Sequence, residues 1–155
     1  MLDITYLYTF LLTFKYELNI LFVMRRQITL IELPQPKGHD VNYELQWLGT
    51  SLGLFGDRDR DRSCFRVFVT LVKDAGRSEP LSSDQIAEQL RLSRGTVIHH
   101  INRLQASGIV VHEKGGYVLR VESLQRLIDE LHRDTEQLFE HLKRVSKEVD
   151  GWLGL

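Results

Sequence analysis

Between Leu81 and Arg120 the spacing of apolar positions changes period twice. Ile86, Ala87 and Leu90 fall on one face of a short helix, and Ser82, Ser83 and Asp84 before them are all good N-cap types. Arg91-Leu92-Ser93 breaks the pattern for a turn, with Leu92 placed to plug it. Ser93 can cap a second helix, in which Val97, Ile101 and Leu104 recur at i, i+4 and i+7 and point to a core. Gly108 ends that helix, where a left-handed residue is tolerated mainly as glycine. The period then shortens. Ile109-Val110-Val111 and Tyr117-Val118-Leu119 flank Glu113-Lys114-Gly115-Gly116, a hairpin signal with Lys114 near its tip.

The C-terminal pattern has a third period. From Ser123 to Trp152 there is no Pro, and no Gly before Gly151. Leu124, Leu131, Leu138, Val145 and Trp152 occupy d positions of a heptad, and Ile128, Thr135, Leu142 and Val149 occupy a positions. About four heptads, roughly 40 Å of helix, exceed what the preceding elements alone could cover, which favours a coiled coil between two copies of the chain. The dimerisation residues expected from this seam are Leu124, Ile128, Leu131, Leu138, Leu142, Val145 and Val149.

The first half of the chain is less regular. Residues 1–24 are apolar but interrupted by Lys15, Glu17 and Asn19, and a bilayer span needs about 20 mainly apolar residues. This extension reads as an over-extended gene start ahead of Met24-Arg25-Arg26, a partner-binding or core-covering helix, or a membrane anchor, with no membrane role as the favoured reading. Gln27–Leu33 reads as a short strand and Pro34–Asp40 as a linker. Leu45, Leu48, Leu52 and Phe55 predict an amphipathic helix over residues 42–55, ended by Gly56. The alternating run from Asp57 to Arg62 reads as a solvated helix start, and Phe65, Phe68, Val69, Leu71 and Val72 as a helix ending at Gly76 that covers Ile86, Ile101 and Leu104.

Two short helices joined by a three- to four-residue turn have helix-turn-helix spacing, and the hairpin after them makes the winged form. The polar face of the second helix carries Arg94, Thr96, His99 and Arg103, all able to hydrogen-bond to phosphates or base edges. Gly95 lets the helix start approach a phosphate, which the helix N-terminus favours. Lys114 at the wing tip can touch backbone phosphate or a minor groove.

Ile86-Ala87 with Leu90, Leu92-Ser93-Arg94-Gly95-Thr96-Val97, His100-Ile101, Leu104, Ser107-Gly108-Ile109-Val110 and the wing glycines together resemble the winged helix-turn-helix of ArsR-like and MarR-like transcription regulators. The resemblance spans roughly residues 62–122, well under half the chain, and is specific for the superfamily rather than for one family in it. It implies a recognition helix over 93–107 and a wing over 112–117, with Arg94, Gly95, Thr96, His99, Arg103 and Lys114 on DNA. It also implies that His100 packs partly inward. Some ArsR-like repressors bind metal through cysteines on the recognition helix or through acids and histidines on the last helix. This chain has no cysteine at the first place, and at the second Glu130 and His132 are followed by Lys143 and Ser146, so no metal and no cofactor is expected.

Composition narrows the function. The net charge of −1 excludes a histone-like mode that relies on bulk charge, yet from Arg77 to Arg120 six Arg/Lys face four acids, a local +2. The single cysteine, Cys64, excludes an internal disulfide and sits among apolar neighbours, consistent with a reducing cytoplasm. No nucleophile elbow, phosphate loop or catalytic carboxylate pair is visible, Asp129 and Glu130 read as helix-surface acids, and no enzyme is expected.

The expected fold is mainly α with a small β-wing: an extension over 1–24; a strand, linker and amphipathic helix over 25–56; a winged helix-turn-helix over 57–122; and a coiled-coil helix over 123–155. The expected function is sequence-specific double-stranded DNA binding by a homodimeric repressor on an inverted repeat. A winged-helix protein-interaction module in a transcription or membrane-tethered assembly is the alternative, suggested by Ile98 on the recognition helix.

Overall fold

The structure is a computed structural model and describes residues 27–155 except 39, 57, 58, 60 and 78; the apolar extension over 1–24 lies outside the described residues. The elements run α1 (Val41–Ser51), α2 (Ser63–Lys73), α3 (Ser83–Leu90), α4 (Arg94–Ala106), β1 (Val110–Glu113), β2 (Gly116–Leu119) and α5 (Leu124–Leu153). This is the helical architecture with a two-stranded wing and a long last helix that the apolar periods predict.

Local chemistry explains where the helices start. Ser82 Oγ accepts from Gln85 N at 3.2 Å while Gln85 Oε1 accepts from Ser82 N at 2.8 Å, a reciprocal capping box at α3. Ser93 Oγ accepts from Thr96 N at 3.1 Å and starts α4; Ser123 Oγ does the same for Arg126 N at 3.3 Å and starts α5. The turn between α3 and α4 is made possible by Arg91, which closes α3 in the left-handed region at φ 53°.

α2 crosses beneath α3 and α4 and supplies the largest part of the core. Cys64, Val67, Phe68 and Leu71 are fully buried, together with Ile86 of α3 and Val97, Ile101 and Leu104 of α4. Ile109 and Val110 close the core from the wing side, and Leu127 of α5 closes it at the far end. At about 1.5–3 kcal/mol for each fully buried large side chain, this cluster outweighs any surface interaction in the molecule.

Four expectations need correction. Residues 27–33 form no strand. Gln27 N donates to Ala106 O at 2.9 Å and Ile31 N to Ser51 O at 2.8 Å, so the segment runs across helix ends and pairs with no strand among the described residues. α1 ends at Ser51 rather than at Gly56, because Gly53 takes φ 66° and turns the chain, and Leu54 and Phe55 then fold back into the core. Phe55 lies so close over Gly49 that a Cβ there would sit 2.0 Å from its ring. Within the Asp57–Arg62 run, Asp59 accepts from Cys64 N at 3.0 Å and Phe65 N at 3.2 Å, so it caps α2 instead of forming a solvated first turn. Finally, Glu130 is not a free surface acid; it holds Arg120, as described below.

α5 is 30 residues long, about 45 Å, and only its first third lies against the rest of the chain. Leu127 and Leu131 are buried, and Leu124 and Ile128 are half-buried against the same core. Leu138, Leu142, Val145 and Val149 are 54%, 51%, 51% and 38% exposed. The heptad seam therefore divides in two: its first half packs on its own domain, and its second half is uncovered.

Candidate nucleic-acid interface

α4 presents a buried and an open face, and the boundary follows the sequence. Val97, Ile101 and Leu104 face the core; Arg94, Gly95, His99, Asn102 and Arg103 are exposed, with Thr96 half-buried beside them. Asn102 was not singled out from sequence, although it lies three residues from His99 on the same face and carries the amide that suits an adenine edge. Ile98 is half-buried, which leaves little apolar surface on this face.

Arg94, Thr96 and Arg103 each have a polar partner within the chain. Arg94 Nε lies 3.3 Å from Asp84 Oδ1, an ion pair between the starts of the two helices with both side chains about two-thirds exposed. A pair this open contributes little to stability and exchanges readily for a phosphate. Thr96 Oγ1 is 2.8 Å from Ser93 Oγ. Arg103 Nη2 donates to Gly53 O at 3.2 Å, holding the turn after α1 against the recognition helix. A cleft of about 470 Å³ lined by Asp59, His99, His100, Asn102 and Arg103 opens beside this contact. Gly95 meets no crowding, since a Cβ there would find only Ser93 Oγ at 3.9 Å. Packing within the chain does not require glycine at that position.

His100 turns inward. Its Nε2 lies 2.6 Å from Ser63 Oγ, and Ser63 Oγ donates to Asp61 Oδ1 at 2.9 Å. Because the single hydroxyl proton of Ser63 goes to Asp61, we assign the imidazole proton to Nε2, donating to Ser63. Nδ1 is then a buried acceptor without a partner among the described residues. Burial, with His99 and Arg103 nearby, holds the His100 pKa below the usual histidine value despite Asp59 and Asp61. Among the described residues the carboxylates of Asp59 and Asp61 accept from the serine and not from the imidazole.

The wing is a two-residue hairpin. Val110 pairs with Leu119, Val111 with Val118, His112 with Tyr117 and Glu113 with Gly116. Lys114 (φ 44°) and Gly115 (φ 86°) form the connection, both left-handed as a type I′ turn demands. Lys114 is exposed at the tip. The hairpin is anchored close to its tip: Leu81 N donates to Tyr117 O at 3.2 Å and Tyr117 N to Leu81 O at 2.8 Å. Gly116 is pressed on Pro80, where a Cβ would lie 2.6 Å from the Pro80 Cβ.

Residues 75–118 match the family model of an HTH domain. This match begins just after α2 and ends in β2, so it covers both helices, the turn and most of the wing. It supports a helix-turn-helix DNA-binding domain in the place where the geometry puts one, without distinguishing an ArsR-like or MarR-like branch. No curated protein and no solved structure matches the chain. Among the described residues no cluster of three or more His, Cys, Asp or Glu is arranged to hold a metal ion, and no helix is long and apolar enough to cross a membrane.

Behind the helix-turn-helix, Arg120 makes the connection that sequence reading missed. Its side chain is only 13% exposed. Nε donates to Glu130 Oε2 at 2.7 Å, Nη1 to Asp134 Oδ2 at 2.7 Å, and Nη1 reaches Gly108 O at 3.4 Å. Desolvation opposes its charge, but the hydrogen bonds to Asp134 and Glu130 outweigh it and raise the guanidinium pKa.

Proposed function

We propose that the chain is a transcription regulator that reads double-stranded DNA as a homodimer, with α4 in the major groove and Lys114 on the flanking backbone. The observation that carries this reading is the division of α4: three fully buried apolar residues on one side and five exposed residues with hydrogen-bonding or close-approach capacity on the other. Arg94, Thr96, His99 and Asn102 are the base- and phosphate-reading candidates, with Gly95 allowing close approach. Arg103, tied to Gly53 O, contributes from the edge of the same face.

The uncovered half of α5 supports the homodimer. Covering Leu138, Leu142, Val145 and Val149 on two copies would contribute roughly 6–12 kcal/mol, since each side chain is already about half covered. That is comparable to the roughly 4–15 kcal/mol association must overcome, so Trp152 at the last d position and Phe139 at the seam edge are needed as well. A two-fold dimer of this kind presents two recognition helices to an inverted repeat, with half-sites about 34 Å apart, and represses by covering a promoter.

The test is a mobility-shift assay against genomic fragments over a salt series. Selective binding of a fragment containing an inverted repeat, weakening as salt rises, is the expected result. A protein that binds no fragment in a salt-dependent way overturns the proposal.

A further inference from the structure

We infer that Arg120, bridging Gly108 to Glu130 and Asp134, is a positioning residue that sets the operator spacing the dimer accepts. This rests on the homodimeric reading above. Three elements meet at this one guanidinium. Gly108 follows the recognition helix, Arg120 follows the wing, and Glu130 and Asp134 lie one turn apart on α5. Arg120 N also donates to Ile109 O at 2.9 Å, so its backbone is fixed to the same place.

The position of the bridge along α5 gives it leverage. The buried apolar contacts of the helix end at Leu131, and from Glu136 onward every residue is exposed. Asp134 is thus the last charged tether before α5 leaves its domain. Leu124, Leu127, Ile128 and Leu131 hold the helix through non-directional contacts, which permit small rotations and tilts. A planar fork gripping two carboxylates at i and i+4 permits neither. From Asp134 to Val149 the helix runs about 22 Å, so a tilt of about 10° displaces the seam by about 4 Å. One base-pair step is about 3.4 Å. A lever of this length converts the stiffness of one ion-pair bridge into discrimination between adjacent spacings.

The experiment compares wild type with two variants, Arg120→Lys and the triple Arg120→Met/Glu130→Leu/Asp134→Leu. Lysine keeps the charge without the fork; the triple variant replaces the partly buried ions with apolar groups of similar volume, an exchange that often preserves stability. Binding is measured on inverted repeats with spacers one base pair shorter, matched and one longer, and on a single half-site, with circular dichroism as the check on folding. Wild type is expected to prefer one spacer by about tenfold. Both variants are expected to keep half-site affinity while the preference falls to about threefold or less. Folded variants that keep the wild-type preference overturn the inference alone, as does a wild type that binds all three spacers equally. A wild type that binds no DNA overturns the dimeric reading and this inference with it.

Discussion

Ser63 Oγ lies 2.6 Å from His100 Nε2, joining the first residue of α2 to the inward face of the recognition helix. The contact persists in either charge state, because Nε2 carries a proton in both. A second proton would land on Nδ1, which is buried without an acceptor among the described residues. The folded-state pKa of His100 is therefore lowered, chiefly by burial, from its ordinary value of 6.5. Below pH 6.5 the unfolded chain takes up a proton that the folded chain refuses, so stability falls as pH drops through that value and levels off below the folded pKa. Melting temperatures measured from pH 8 to pH 5 should decline more steeply for wild type than for His100→Phe. Equal slopes would remove His100 as the cause.

Arg94 and Asp84 restrain one another across the helix-turn-helix, and their removal should act in opposite directions. Arg94→Ala should cost about 1–3 kcal/mol of binding and relax base preference, while Lys114→Ala should weaken all sequences alike and reduce the salt slope by about 1. Asp84→Asn frees Arg94 and removes a negative charge facing the phosphates, so its affinity should rise. Fluorescence anisotropy on one operator and one scrambled duplex separates the three; an Asp84→Asn protein that binds more weakly contradicts this account.

The two halves of the α5 seam should respond differently to charge. Leu138→Glu with Val145→Glu places carboxylates on the uncovered stripe, and the protein should remain folded but run as a monomer in light scattering. Leu131→Glu is a different experiment, because Leu131 is 5% exposed within its own domain. An unpaired buried carboxylate there should destabilise the fold by several kcal/mol. A double variant that stays dimeric places the self-association elsewhere.

Cys64 should be silent. Its side chain is fully buried, its thiol donates to Leu54 O at 3.6 Å, and burial first, then the nearby Asp59, push its pKa up to about 12. Thiolate is the reactive form, so iodoacetamide at pH 8 should modify the protein only at the rate of unfolding. Rapid labelling of the native state would show that α2 opens locally.

Gly116→Ala should destabilise the wing by about 1–3 kcal/mol, because the new methyl group would meet Pro80 backbone as well as its ring. Thermal unfolding measures this directly, and an unchanged melting temperature would mean that the contact with Pro80 yields.

The parts of this fold legible in the sequence are those encoded within a few residues. Ser82, Ser93 and Gly108 mark helix ends by their own side chains or lack of one, and Lys114-Gly115 marks the hairpin. The burial of Val97, Ile101 and Leu104 follows from spacing on a helix. What escaped was set by distant partners. The β-rich composition of residues 27–33 predicts a strand, but their nearest backbone acceptors are helix-end carbonyls. Phe55 fits a helical stripe that Gly53 has already terminated. Arg120 has no local signal at all, since its carboxylate partners stand ten and fourteen residues away. On the interface itself the exposed face of α4 was legible, while the tie between Arg103 and Gly53, fifty residues apart, was not.

The paired hydrogen bonds between Leu81 and Tyr117 have a consequence for how tightly a wing of this kind can grip. A flexible arm must lose conformational entropy when it settles on its target, about 1–2 kcal/mol for each backbone residue fixed. Here the hairpin is already stitched to the strand-like residue before α3 and pressed on Pro80. Lys114 is carried on a backbone already fixed, so a phosphate contact made there would subtract only the ordering of the lysine side chain.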